Sequence, residues 1–320
     1  MLVDPVASIV VPSFRGADRL PKLLDSLAAQ DAAPSFEVIV VVDGVDDGSV
    51  ALLENESRLD ARSIVFPENR GRVAALNAGF EAARGDVLIR CDDDLVPRPD
   101  YVSAHVNSHR DGPGGVIGLY LNEYSTTPYA EVYGKDADER FRRDAYGSAP
   151  SMAWRYWAGN CSLTRSTYER VGPYDTDYRA YGWEDVDYGY RLHTHGIPVR
   201  LVPEAEAVHH AAAVTTAIRM KRAFHSGAAH RLFASKHPEA RFEAALGAVA
   251  ASSAPRSAWE RIVHAEASIL TTETVERVGS AIDRSLPLIP RHLAEKLVAA
   301  GVEAAAVAGL RAKEQPERSF

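Results

Sequence analysis

The chain has 320 residues, of which 46% are hydrophobic and 25% are charged, and its formal net charge is −8. This length and composition are typical of a globular protein with a sizeable core. The negative charge argues against a nucleic-acid-binding protein, because phosphate backbones require clustered Lys and Arg. The two cysteines, Cys91 and Cys161, cannot form a disulfide framework or a cysteine-rich zinc site, so we expect a reducing, cytoplasmic compartment.

Membrane segments are not predicted. The N-terminal residues lack the basic segment and apolar core of a signal peptide. The longest apolar stretch, from Leu297 to Leu310, contains Glu303 and is too short to span a bilayer. We therefore expect a soluble protein whose contact with a membrane, if it has one, is peripheral.

The first hundred residues alternate apolar strands with helices. One helix is amphipathic, and it carries Leu20, Leu23, Leu24 and Leu27 on a single face. Another is predicted from Val73 to Ala83. Strands are predicted at 7–14, 36–42, 63–66 and 87–90. Nearly continuous apolar strands that alternate with helices indicate an α/β fold with a mostly parallel twisted sheet and helices on both faces.

The pattern is less regular after Asp100. The next elements predicted are a helix to about Arg110, a strand at 116–120, a long polar connection at 122–150 with a helical piece at 136–143, and a return to the sheet at 154–164. From Thr215 onward the chain is rich in Ala and helical, with breaks near Pro238, Ser252–Pro255 and Pro287–Pro290. We therefore predict a domain at 1–210 and a helical C-terminal extension at 211–320.

Three consecutive carboxylates, Asp92, Asp93 and Asp94, follow the fourth apolar strand. Open α/β sheets bind ligands at the carboxyl ends of their strands. Adjacent acids repel one another, and a hard divalent cation that carries a diphosphate would neutralise them. A solvated acidic turn, or a helix N-cap at Asp94, would explain the same residues.

Other acids and two histidines are further candidates. Asp43 ends the second strand at the same predicted edge, where it could accept hydrogen bonds from a base or a sugar, or simply form a turn before Gly44. Glu184 and Asp185 stand at the start of a predicted helix, where they could serve as a general base or stabilise the helix dipole. His209 and His210 follow a short strand, and the pattern does not choose between them.

Six motifs occur together in one order. They are Val-Val-Pro-Ser-Phe (10–14), Val-Val-Asp-Gly (41–44), Asn-Arg-Gly-Arg-Val-Ala-Ala-Leu-Asn-Ala-Gly (69–79), Cys-Asp-Asp-Asp-Leu (91–95), Ala-Gly-Asn-Cys-Ser-Leu-Thr-Arg (158–165) and Gly-Trp-Glu-Asp-Val-Asp (182–187). The region that carries them, from about residue 5 to 210, resembles a family 2 glycosyltransferase of the GT-A fold.

For the nucleotide-sugar donor, the resemblance implies a site built around a metal ion. Asp94 would bind Mn²⁺ or Mg²⁺, with His209 preferred to His210 as a second ligand. Asp92 and Asp93 would contact the donor. The nucleotide would be held by Asp43, by Arg72 and by Pro12 and Phe14, which would flank the base. Asn77 could contact the donor or be a packed polar group of its helix.

For the acceptor, the segment 182–187 is similar to the Glu-Asp motif of inverting galactosyl-, glucosyl- and N-acetylhexosaminyl-transferases. Asp185 would be the general base, and Glu184 would bind an acceptor or donor hydroxyl. Trp183 would form an apolar platform for a sugar or would be a core residue.

The resemblance therefore implies a metal-dependent inverting glycosyltransferase. It would move a hexose or N-acetylhexosamine from a nucleotide sugar, a UDP-sugar being favoured, to an acceptor hydroxyl of unknown class. A retaining enzyme on the same scaffold and a non-catalytic nucleotide- or carbohydrate-binding module remain alternatives. Nucleotidyl transfer and NAD binding are disfavoured, because no Gly-rich phosphate loop follows the first strand. The C-terminal helices could contact the acceptor, form a lid or form a homodimer.

Overall fold

The structure is a computed structural model that describes residues 4–31, 33–179, 182–210, 213–240 and 257–312. The chain divides into two compact units, the first made of 1–123, 142–177 and 184–210 and the second of 124–141, 178–183 and 211–320. Residues 211–320 thus belong to the second unit together with two earlier segments, and the roles predicted for the two parts stay predictions. The predicted break at Ser252–Pro255 lies outside the described residues.

The strands of the described residues all lie in the first unit. They are β1 (Ala7–Ser13), β2 (Phe36–Asp43), β3 (Asp60–Phe66), β4 (Val87–Cys91), β5 (Leu95–Pro97), β6 (Gly115–Ile117), β7 (Tyr120–Glu123), β8 (Asn160–Thr164), β9 (Val199–Leu201) and β10 (Ala207–His210).

The α-helices of the described residues occur in both units. They are α1 (Leu20–Ala28), α2 (Ser49–Glu54), α3 (Arg72–Ala82), α4 (Tyr101–Asn107), α5 (Lys135–Tyr146), α6 (Arg165–Val171), α7 (Glu184–Thr194), α8 (Thr216–Lys236), α9 (Ala258–Ala267), α10 (Val275–Ser285) and α11 (Arg291–Arg311). Shorter helical segments are the π-helical turn Ala130–Gly134 and the 3₁₀ helices Pro150–Tyr156, Pro203–Ala205 and Leu286–Leu288.

The main sheet confirms the predicted α/β fold. Its described strands run in the order β3-β2-β1-β4-β8-β6-β9. Strands β1 to β4 are parallel to one another, whereas β8 is antiparallel to both β4 and β6. Because β1, β2 and β4 run in the same direction, their carboxyl ends lie at one edge of the sheet, and this edge carries most of the predicted site.

The core of the first unit follows from the sequence pattern. The residues of β1 and β2 are nearly all buried, as expected for strands with helices on both faces. The four leucines predicted to share one face of α1 are all buried against this core. Burial of such side chains contributes about 2 kcal/mol each, so the alternation of apolar strands and amphipathic helices specifies the layers.

The prediction of a single strand at 116–120 is wrong. The segment forms β6 in the main sheet and β7 in a second sheet, with Gly118 at the break. A Cβ atom at Gly118 would lie 1.9 Å from the backbone oxygen of Ala205, so the chain can pass here only with glycine.

The second sheet places a histidine beside the acid triplet. Its order is β5-β10-β7, and β10 is antiparallel to β5 and parallel to β7. The register pairs His209 with Leu95, the residue after Asp94, and with Asn122 on the other side. Residues that are far apart in the sequence are thus neighbours across three short strands.

The second unit is helical where it is described. Helices α8 to α11 enclose a core rich in Ala and Val, which includes Phe224, Val263, Val298 and Val302. The first of these helices ends at Lys236, before Pro238, and the last begins directly after Pro290. No helix of the described residues is long and apolar enough to cross a membrane.

Candidate active site

Asp43, the last residue of β2, anchors the loop that precedes α3. Its side chain is buried, and its two oxygens accept hydrogen bonds from the backbone N–H groups of Arg70 (2.6 Å) and Gly71 (2.8 Å). Asp43 therefore holds the loop that leads into α3, whose first residue is Arg72. Each carboxylate oxygen retains a further lone pair, and its contact with a nucleotide stays a prediction. Pro12 and Phe14, near the end of β1, are half-buried.

Asp93 is held by protein groups. The hydroxyl of Ser13 donates to its Oδ2 at 2.6 Å, and the guanidinium of Arg19 donates to both oxygens, at 2.9 and 2.8 Å. Burial raises the pKa of the Asp93 carboxyl, and the bonds from Arg19 and Ser13 oppose that rise. Such a bidentate ion pair fixes the turn after β4, while a contact between Asp93 and the donor stays a prediction.

Asp94 and His209 form a pair suited to a divalent cation. Nε2 of His209 lies 3.2 Å from Oδ2 of Asp94, and its Nδ1 lies 2.5 Å from Oδ1 of Asn122. With that amide oxygen as the acceptor, Nδ1 carries a proton. Nε2 donates to Asp94 when the ring is charged, and presents a lone pair on the same side when the ring is neutral. Burial raises the pKa of Asp94, but the contact with His209 and the charges of Arg72 and Arg19 hold it below its ordinary value.

The donor set of this pair fits a metal ion that is shared with a ligand. An imidazole nitrogen beside a carboxylate, with the other ring nitrogen bonded to an amide, is a common arrangement of metal ligands. His210 is exposed, and its Nδ1 lies 3.6 Å from Glu123. Among the described residues no group of three or more His, Cys, Asp or Glu could hold a metal, so the other ligands would have to come from substrate or water.

A second pair of acids begins α7. Glu184 is 3% exposed, its Oε1 lies 3.5 Å from Nη1 of Arg72, and its Oε2 is buried without a hydrogen-bond partner among the described residues. Burial raises the pKa of Glu184 to about 7, and the neighbouring charge of Asp185 adds to the rise. Burial also raises the pKa of Asp185, although the charge of Arg90 opposes this. Glu184 can therefore exchange a proton near neutral pH.

Arg90 joins the two groups of acids, and the sequence analysis missed it. Its Nε donates to Oδ1 of Asp92 at 2.9 Å, its Nη2 donates to Oδ2 of Asp92 at 3.3 Å, and its Nη1 donates to Oδ1 of Asp185. The signal was present, because an arginine inside an apolar strand needs a buried acid as a partner. The sequence did not show that this partner is Asp185, which lies about ninety residues later in the chain.

Trp183 lies in the second unit, directly before Glu184 in the chain. Its backbone has φ = 71°, which is strained for a bulky residue. The indole stacks on the ring of His230 at 4.1 Å, and its Nε1–H donates to Oγ of Ser226 at 3.0 Å. One face of the indole is thus covered by His230. Its role as a sugar platform stays a prediction.

Comparisons with known proteins agree with this fold. The family model described as Glycosyl transferase family 2 matches residues 8–166, and the model described as the N-terminal domain of galactosyltransferase matches 145–213. A relative, validoxylamine A glucosyltransferase of Streptomyces hygroscopicus subsp. limoneus, is 32% identical over 233 residues, which cover 63% of this chain and 51% of the relative. The chain thus spans about half the length of this curated relative.

Two solved structures share the fold. The mannosyltransferase PcManGT of Pyrobaculum calidifontis, in complex with GDP-Man and Mn²⁺, matches with a TM-score of 0.63 and 22% identity over 98% of this chain and 89% of its own. TarS 1-349 of S. aureus, in complex with UDP, matches with a TM-score of 0.54 and 14% identity over 94% of this chain and 90% of its own. Through residues 8–166 the chain belongs to glycosyl transferase family 2, and its fold is GT-A.

Proposed function

We propose that this chain is a metal-dependent, inverting glycosyltransferase that moves a hexose or N-acetylhexosamine from a UDP-sugar to an acceptor hydroxyl. One observation carries the proposal. An acid and an imidazole suited to a divalent cation, Asp94 and His209, lie at the sheet edge where Asp92 is bridged through Arg90 to the half-buried acid Asp185. Pure binding would need the first group but not the second, because a base is required only for transfer.

Asp94 and His209 would hold Mn²⁺ or Mg²⁺, and Asn122 would fix the histidine ring. Imidazole as a ligand favours Mn²⁺ over Mg²⁺. When bound, the cation would neutralise the charge of the diphosphate as it leaves. The PcManGT complex, which contains Mn²⁺ and a nucleotide sugar on the same fold, supports this kind of ion.

The donor would lie along the same sheet edge. The side chain of Arg72 is 41% exposed, beside Glu184, and its guanidinium would contact the base or the diphosphate. Asp43, Pro12 and Phe14 would hold the base, and Asp92 and Asp93 the ribose or the sugar. The TarS complex contains UDP whereas the PcManGT complex contains GDP-Man, so the choice of UDP is the part of this proposal that binding must decide.

Asp185 would act on the acceptor. Its carboxylate would take the proton of the acceptor hydroxyl, whose oxygen forms a bond to the anomeric carbon on the face opposite the diphosphate. The bond from that carbon to the phosphate oxygen breaks, and the diphosphate leaves with the electron pair, which inverts the anomeric centre. Glu184 would bind an acceptor or donor hydroxyl, and Trp183 would contact the acceptor sugar.

The remaining parts of the proposal concern the setting of the enzyme. Both cysteines are buried and free, in keeping with a cytoplasmic protein. The helices after residue 210 would contact the acceptor, close over the donor or pair with a second copy.

Calorimetric titration tests the proposal. UDP, GDP and deoxythymidine diphosphate are titrated with and without Mn²⁺ into the wild type, Asp94→Ala, His209→Ala and, as a matched control, His210→Ala. We expect UDP binding that requires Mn²⁺, is lost in the first two variants and is retained in the third. Nucleotide affinity that is the same with and without Mn²⁺ would refute the metal site. Tighter binding of GDP than of UDP would show that the donor is a GDP-sugar.

Product analysis tests the chemistry. The anomer released from UDP-glucose or UDP-N-acetylglucosamine is followed by NMR with water as the acceptor. We expect the inverted anomer, and its formation should fall to a low residual rate in Asp185→Asn. The retained anomer would establish the retaining alternative, and metal-dependent binding without any turnover would favour a binding module.

A further inference from the structure

A buried arginine lies between the two halves of the proposed site. Arg90 is the fourth residue of β4, and its side chain is 0% exposed. Removing a guanidinium from water costs several kcal/mol unless acids and hydrogen bonds compensate. Asp92 and Asp185 provide that compensation through three donor atoms of one planar group.

The partners of Arg90 remain open to substrate, whereas Arg90 does not. The side chains of Asp92 and Asp185 are each 17% exposed. A substrate could therefore reach these two carboxylates, but it could reach the guanidinium only through them. Any effect of Arg90 on the reaction must be exerted by holding its two partners.

We propose that Arg90 is a positioning residue that fixes Asp185 relative to Asp92, and so sets the spacing between the acceptor base and the donor contact. This inference rests on the proposed function of both acids. The planar guanidinium donates hydrogen bonds to two carboxylates in fixed directions, and a single ammonium group cannot reproduce this geometry. A lysine at this position would keep the charge and lose the spacing.

The surroundings of Arg90 hold the fork in place. Its guanidinium carbon lies 6.0 Å from the ring centre of Tyr174, and that ring stacks on Tyr188 at 4.1 Å. The indole Nε1–H of Trp157 donates to the hydroxyl of Tyr174 at 2.8 Å. The amide of Asn77 bonds both the N–H (2.8 Å) and the carbonyl (2.9 Å) of Tyr174. The ring of Tyr174 beside the guanidinium is thus itself held in place by Tyr188, Trp157 and Asn77.

The test compares Arg90→Lys with a matched control, Arg84→Lys. Arg84 pairs with the fully buried Glu37 at 3.0 Å, near the start of β2 and so at the opposite edge of the sheet. We expect Arg90→Lys to lower kcat for hydrolysis of UDP-glucose or UDP-N-acetylglucosamine about 100-fold, the scale of a 1 Å displacement of a reacting group. The Kd for UDP with Mn²⁺ should change less than about threefold. The control should lower the melting temperature and leave kcat unchanged.

A double-mutant cycle identifies the route of the effect. In the Asp185→Asn background, Arg90→Lys should cause little further loss, because the group that it positions is already gone. Additive losses, or an equal loss of kcat in the control, would overturn the inference. Should Arg90→Lys fail to fold, Tyr174→Leu removes the supporting ring and keeps all the charges. We expect it to lower kcat about tenfold with UDP binding retained, and an unchanged kcat would overturn the inference.

The two proposals can fail separately. If Asp185→Asn leaves turnover unchanged, the proposed base is wrong. If Asp185→Asn abolishes turnover but neither Arg90→Lys nor Tyr174→Leu lowers kcat, only the role of Arg90 is wrong.

Discussion

Replacing Glu184 by glutamine should make the protein more stable and less active. The carboxyl of Glu184 is buried beside Asp185, one of its oxygens has no hydrogen-bond partner among the described residues, and burial raises its pKa to about 7. Ionising this group in the folded protein is therefore costly. Glutamine has the same shape as the neutral acid and cannot ionise, so it removes that cost. It should also weaken contact with a substrate hydroxyl.

The size and the sign of the effect follow from the two pKa values. The ordinary pKa is 4.5 and the folded value is about 7. Because the pKa is raised on folding, the folded state holds the proton more tightly, and stability is lost as the pH rises from 4.5 through 7. That shift corresponds to about 3 kcal/mol. The difference in free energy of unfolding between Glu184→Gln and wild type should thus grow from about 1 kcal/mol at pH 5 to about 3 kcal/mol at pH 8.

Urea unfolding of wild type and Glu184→Gln at pH 5, 6.5 and 8 measures this difference. Subtracting the two free energies of unfolding at each pH cancels the contribution of every group that titrates equally in both proteins. Asp187→Asn is the control, because Asp187 lies on the same helix but pairs with Arg191 at 3.0 Å. It should be less stable than wild type at each pH. A Glu184→Gln variant that is less stable than wild type, or equally shifted at all three pH values, would refute the reasoning.

Two further variants probe the metal pair and the donor acid. Asn122→Ala frees the ring of His209 and should weaken Mn²⁺ binding 10- to 100-fold, the usual effect of removing such a support; calorimetry with Mn²⁺ and UDP measures this, and affinity equal to wild type would contradict it. Gly159→Ala would place a Cβ atom 2.1 Å from Oδ2 of Asp92 and 2.6 Å from the hydroxyl of Tyr120. We expect Gly159→Ala to displace that carboxylate and lower turnover at least tenfold, and full turnover would show that Asp92 can move freely.

Strand direction explains why much of the site could be predicted from the sequence. Asp43 and the acid triplet each follow an apolar strand, and parallel strands necessarily bring their carboxyl ends to one edge. The structure confirms that arrangement for β1, β2 and β4. The pairing of His209 with Asp94 could not be predicted in the same way, because it depends on a second sheet of three short strands. The shortness of those strands, and the break at Gly118, leave almost no periodic signal.

The partners of the acids were also beyond the sequence. Asp43 accepts hydrogen bonds from two backbone N–H groups, and Asp93 accepts them from Arg19 and Ser13. These two acids therefore stabilise the local structure, in addition to any role in binding. Sequence motifs mark where acids stand but do not distinguish an oxygen facing substrate from one facing the protein. The side chain of Asn77 shows the same limit, since it clamps the backbone of Tyr174.

The charges around Arg90 explain how two neighbouring acids can have different roles. The guanidinium groups of Arg72 and Arg90 interact with three carboxylates, Asp92, Glu184 and Asp185.

Arg90 bonds Asp92 and Asp185 directly, whereas Arg72 approaches Glu184 only to 3.5 Å. Burial is the main reason why the pKa of Glu184 reaches about 7; the charge of Asp185 adds to the rise, and the charges of Arg72 and Arg90 oppose it. In the proposed mechanism Asp185 would remove the proton of the acceptor, and a Glu184 that is neutral part of the time could donate a hydrogen bond to substrate. We therefore expect the fixed position of Arg90 to separate a base from a hydrogen-bond donor within two consecutive residues.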